Sequence, residues 1–106
     1  MRVVVTGATG FFGAHLVWRL VSSGDEVCLV LRPDEDPGDL LKYGVEIIDG
    51  YLGDPDVLTG RLDGVDAVYH CAETIHGDAF QDFVRLNVDA VHHVAGACAA
   101  CETPPT

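Results

Sequence analysis

At 106 residues and 48% hydrophobic content, the chain has room for one domain with its own core. Six Lys and Arg against 17 Asp and Glu give a formal charge of −11, which repels phosphate backbones and anionic lipid heads and argues against nucleic acid or a membrane surface as partner. No apolar run reaches the roughly 20 residues that span a bilayer, and Met1 leads at once into a strand pattern, so the cytoplasm is the expected compartment and reduced thiols the expected state of Cys28, Cys71, Cys98 and Cys101.

Arg2 to Thr6 is a β-branched run ending at glycine, the pattern of a strand buried on both faces of a parallel sheet. From Phe12, the apolar residues Phe12, Leu16, Val17, Leu20 and Val21 recur at helical spacing, and Ser22-Ser23-Gly24 supplies a stop. A second strand is expected over Glu26 to Leu31, one helical turn over 39–43, and a third strand over 45–49. Asp54-Pro55-Asp56 opens an expected short helix over 57–62, and 65–71 reads as a fourth strand. The longest periodic segment, 78–100, places Phe80, Val84, Val88, Val91, Val94, Ala95 and Cys98 on one helical stripe. Alternation of this kind argues for a parallel α/β sheet with right-handed crossovers.

Gly7, Gly10 and Gly13 are spaced G-x-x-G-x-x-G where the first strand gives way to the first helix. At such a turn, the first glycine permits the tight bend, the second lets the backbone approach a pyrophosphate, and the third lets the helix pack on the strand. The open N–H groups and positive dipole end of the helix then face the diphosphate. An acid that reads NAD ribose hydroxyls usually ends the second strand, about 20 residues beyond the glycines. Here Leu31 is followed by Arg32, whose guanidinium suits a 2′-phosphate and favours NADP(H) over NAD(H). The competing reading pairs Arg32 with Asp34, Glu35 or Asp36.

Val5-Thr6-Gly7-Ala8-Thr9-Gly10-Phe11-Phe12-Gly13 resembles the VTGATGFIG loop of the extended short-chain dehydrogenase/reductase family, also called the NAD-dependent epimerase/dehydratase family. Val65-Asp66-Ala67-Val68-Tyr69-His70-Cys71-Ala72 resembles its VDxVxHxAA strand, and Asn87-Val88 the start of its NVxGT helix. The likeness runs from about residue 2 to 100, and Val27 to Arg32 is most similar to the NADP-dependent reductases related to dihydroflavonol reductase. It implies a Rossmann-type sheet of strand order 3-2-1-4 with helices on both faces, incomplete on its C-terminal side, and a single NAD(P)-binding domain over residues 1–106.

The resemblance also implies a cofactor site made of Gly7, Thr9, Gly10, Phe11, Phe12 and Gly13 in the loop, with Arg32, Tyr51, Leu52, Cys71, Ala72 and Glu73 around it. Where the family has GDL after the third strand, this chain has Gly50-Tyr51-Leu52, so adenine is left to stack on Tyr51 or bond its hydroxyl. Asn87 either supports the active-site network or ties helix to strand, and His76 and Asp78 either touch substrate or cap the helix. The family's catalytic Ser or Thr and its Tyr-x-x-x-Lys pair lie beyond the fifth strand, and none of Tyr43, Tyr51 and Tyr69 has a Lys four residues later, so no catalytic residue is assigned here. His92, His93, Cys98 and Cys101 do not converge as a tetrahedral site requires, so no metal is expected. The implied function is the cofactor-binding part of an oxidoreductase or epimerase, with a non-catalytic NADP(H) module or an inactive truncated product as alternatives. A fourth strand left at an open edge is also expected to promote self-association.

Overall fold

Val3, Val4 and Val5 are all buried because the strand that carries them, β1 (Arg2–Thr6), has apolar layers on both sides. The computed structural model describes residues 1–72 and 80–106, without the side chains of Asp82 and Leu86. After β1 come α1 (Phe11–Ser22), β2 (Glu26–Leu31), a 3-10 turn over Gly38–Tyr43, β3 (Glu46–Asp49) and β4 (Ala67–His70). The C-terminal helix is continuous but uneven: α2 (Phe80–Val84), a π-helical stretch over Arg85–Asp89, then α3 (Ala90–Ala99).

The described strands form one parallel sheet in the order β3-β2-β1-β4, as the sequence reading expects. Alternate side chains of each strand face opposite layers. Val3, Val5, Val27, Leu29 and Leu31 pack under Val17 and Leu20 of α1 and Leu40 of the 3-10 turn. Val4, Cys28, Val30 and Ile48 pack on Leu58, Leu62, Val65 and Val94.

Three expectations need correction. The segment 57–62 is a run of turns, because the i+3 bonds of Val57, Thr59 and Arg61 are interrupted by Gly60 at φ +71°, which no helix accommodates. It still buries Leu58 and Leu62. The stripe read from Phe80 is also only partly inward. Val94 and Cys98 of that stripe do face the core, whereas Phe80, Val88, Val91 and Ala95 are exposed, and Ala90 and Ala97 join the inward side of α3 instead. The π-helical turn over Arg85–Asp89 inserts a residue into the helical repeat, so one regular stripe does not run unbroken through the segment. Phe12, finally, is 69% exposed at the opening of α1 and does not join the buried stripe of Val17 and Leu20.

At the outer side of β4, Thr106 N–H donates to Asp66 O at 3.0 Å and Val68 N–H donates to Thr106 O at 2.9 Å, the pattern of a parallel bridge opposite Ala67. The remainder of that edge has no neighbouring strand among the described residues. Exposed Phe80, Phe83, Val88 and Val91 add apolar surface. The 106-residue chain alone is therefore expected to associate with itself. Sedimentation velocity across a wide dilution series should show an average mass that rises with concentration, and a monomer at every concentration would contradict this.

Candidate functional site

In a parallel sheet all carboxyl ends lie on one rim, and the register here aligns them closely: Thr6 pairs with Val30 and with His70, and Leu31 pairs with Asp49. The glycine loop leaves from β1, Arg32 from β2, Tyr51 and Leu52 follow β3, and Cys71 and Ala72 follow β4. Segments far apart in sequence thus meet along one line, with the glycine loop between Arg32 and Cys71. Of the residues implied for the cofactor, Glu73 lies outside the described residues, as do His76 and Asp78.

Gly7 adopts φ +70°, a conformation that L side chains rarely adopt, and a Cβ there would come within 2.5 Å of Ala72 N and Cys71 C. The turn is therefore pressed directly against the chain leaving β4. A Cβ on Gly13 would overlap Gly7 O and lie 2.9 Å from Ala8 Cα. Gly13 thus lets α1 approach the main chain at the end of β1 closely.

Gly10 is different. Its φ of −73° and ψ of 166° suit any residue, and a Cβ would meet only Gly7 O at an ordinary 3.4 Å. Nothing in the protein's own described packing demands glycine there. Gly10 is exposed and forms the N-cap of α1, with no side-chain cap and no acid in the first turn. The first N–H groups of a helix lack intrahelical acceptors and carry the positive end of its dipole. Phe11 and Phe12, 86% and 69% exposed, turn their rings outward from this opening.

The sequence reading missed how Thr6 organises the rim. This fully buried residue places its hydroxyl 2.8 Å from His70 Nδ1 and accepts from Cys71 N–H and Ala72 N–H, each at 3.2 Å. Two amides can only donate, which leaves the hydroxyl proton available to His70 Nδ1. The signal available was a polar residue ending an apolar strand.

Burial pushes the His70 imidazole below its ordinary value of 6.5. A histidine with a lowered native pKa binds fewer protons folded than unfolded, so it lends stability above the unfolded value that is lost as pH falls through the native one. Denaturant midpoints should therefore decline from pH 7 downward, and His70→Gln should flatten that decline. A pH dependence identical in both proteins would show that His70 has no part in it.

Arg32 is about half exposed and forms a loose ion pair with Glu35, Nε to Oε2 at 3.7 Å, which bears out the pairing without removing the guanidinium from solvent. Tyr51 is 53% exposed beside the rim, while Leu52 is half-buried against the core, its carbonyl 2.7 Å from His93 Nδ1. Asn87 is half-buried within the π-helical stretch. Cys101 donates its thiol to Ala97 O at 3.4 Å, and no set of three potential metal ligands converges among the described residues. A groove of about 510 Å³ is lined by the 55–63 turns and α3, including His92 and His93, and shares no residue with the rim loops.

Several proteins of known identity are similar to this chain. The chain is 34% identical over 98 residues to the ceramide reductase of Caulobacter vibrioides, covering 92% of this chain and 31% of that protein. It is 37% identical over 95 residues to the 3 beta-hydroxysteroid dehydrogenase/Delta 5-->4-isomerase of Mycobacterium tuberculosis, covering 86% of this chain and 25% of that one. Among solved structures, vestitone reductase from alfalfa (Medicago sativa) superposes with a TM-score of 0.77 at 26% identity, over 96% of this chain and 33% of its own. The chain thus spans about a third or less of the length of these relatives. The family model for the NAD dependent epimerase/dehydratase family matches residues 3–104, and with the 3-2-1-4 sheet and the glycine loop at its rim, the chain belongs to that family.

Proposed function

We propose that the chain is the NADP(H)-binding part of an oxidoreductase that moves a hydride between the nicotinamide ring and a carbonyl or hydroxyl carbon. The observation that carries this reading is Gly10: a glycine for which the fold has no described use, exposed at an uncapped helix opening, leaves space that a side chain would fill. A diphosphate fits such a place, since it accepts from main-chain N–H groups and is drawn by the helix dipole. The main chain of Gly10, Phe11 and Phe12 would hold it, Arg32 would meet the 2′-phosphate, Tyr51 and Leu52 would flank adenine, and Cys71 and Ala72 would border the ribose and nicotinamide side. Glu73 belongs to the same proposed set, and Asn87 is proposed as a supporting amide. Bound there, the dinucleotide supplies a hydride donor or acceptor. These residues bind and orient it, while the proton-transferring groups lie outside the assigned set.

Calorimetric titration of the chain with NADPH and NADH, alongside Arg32→Ala, tests the reading. Bonds to a charged group contribute about 1.5–3 kcal/mol, so the substitution should weaken NADPH about 10- to 100-fold and leave NADH nearly unchanged. Equal affinity for both dinucleotides, unmoved by the substitution, would remove NADP(H) from the proposal.

A further inference from the structure

The turn after β2 folds back onto the glycine loop through one side chain. Glu35 N–H donates to Arg32 O at 3.0 Å and closes the turn, and the Glu35 carboxylate accepts from Arg32 N–H at 3.0 Å through Oε2. Its other oxygen, Oε1, accepts a hydrogen bond from Thr9 Oγ1 in the glycine loop. The Glu35 side chain is only 16% exposed, in contrast to 54% for Arg32. Because β1 and β2 are neighbours with Thr6 opposite Val30, this carboxylate sits at the seam between the loops that leave them.

We propose that Glu35 is a selectivity residue for the adenosine ribose, acting against the 2′-phosphate that Arg32 attracts. The proposal rests on the dinucleotide reading above. A 2′-phosphate placed beside Arg32 needs hydrogen-bond donors beyond the guanidinium, and two at this seam, the Arg32 amide and the Thr9 hydroxyl, are already held by Glu35. The phosphate must displace a carboxylate of its own sign and take over its donors, whereas a 2′-hydroxyl can donate to that carboxylate in place. Acids that read ribose hydroxyls sit at the end of the second strand. Here the strand ends Leu31-Arg32, and the carboxylate reaches the same seam from a turn further along. Arg32 and Glu35 together would set the balance between the two cofactors, one raising affinity for the phosphate and the other opposing it.

The test is the ratio of NADH to NADPH dissociation constants, measured by titration of the full chain carrying Glu35→Gln and, separately, Glu35→Ala. Gln keeps the side chain's shape and can still accept from Arg32 N–H or Thr9, whereas Ala removes both side-chain bonds and leaves only the turn's main-chain bond. Removing a like charge at this range should raise the preference for NADPH about tenfold, chiefly through tighter NADPH binding. An unchanged ratio in both variants, or equal weakening of both dinucleotides, overturns the role of Glu35. If Arg32→Ala lowers NADPH affinity while the Glu35 variants leave the ratio where it was, the inference about Glu35 fails and the NADP(H) reading stands. If no variant and no wild-type chain binds either dinucleotide, both fall together.

Discussion

Gly7→Ala is expected to cost the chain about 3–4 kcal/mol of stability. The substitution places an L side chain at φ +70°, where the left-handed conformation costs about 1–2 kcal/mol. It also drives a methyl group to 2.5 Å from Ala72 N and Cys71 C, both main-chain atoms that cannot rotate away. Overpacking of that kind adds about 1–3 kcal/mol, so a total near 3–4 kcal/mol is expected from a domain whose whole stability is about 5–15 kcal/mol. Gly60→Ala separates the two contributions. Gly60 has nearly the same φ, +71°, but open space around its Cβ position, so its loss should stay near 1–2 kcal/mol. Urea midpoints for the two variants measure the difference directly. Equal losses would mean that the rim relaxes and that the approach of the glycine loop to the end of β4 is soft.

The opposite pattern is expected at Gly10. With φ −73° and ψ 166°, the position accepts alanine without strain, and the change reduces the freedom of the unfolded chain, so Gly10→Ala should stabilise by about 0.4–1 kcal/mol. The same methyl group would occupy the space assigned to the diphosphate. Losing charge-assisted main-chain contacts there should weaken both NADPH and NADH about 10- to 100-fold. A more stable protein that binds its ligand less well is difficult to obtain from a glycine kept for folding alone. Gly10→Ala that binds as the wild type does would mean that the diphosphate lies elsewhere.

The order of strands and the parallel sheet were legible in the sequence because they depend on local patterns. Val3 to Val5 and Val27 to Leu31 are uninterrupted apolar runs, and both proved buried throughout. The glycine spacing was legible for the same reason, though the use of each glycine was not. Gly10 proved to be the one whose Cβ position the described packing leaves open, which spacing does not encode. The C-terminal helix was read correctly at Val94 and Cys98 and incorrectly at Phe80, Val88 and Val91, and the π-helical turn over Arg85–Asp89 that interrupts its repeat has no compositional mark. Leu58 and Leu62 were rightly apolar and inward, but Gly60 between them fixes turns where a helix was expected. The polar ties at the rim were least visible. Thr6 to His70 and Thr9 to Glu35 join residues distant in sequence, and only the sheet brings them together.

The central claim is that the opening of α1 holds the dinucleotide's diphosphate. An amide NMR titration of the chain with NADPH tests it most directly, because each main-chain N–H reports separately. The account expects saturable shifts centred on Gly10, Phe11, Phe12 and Gly13, with a second group at Arg32 and Thr9. Absence of saturable shifts, or shifts centred on the groove beside His92 and His93, would contradict it.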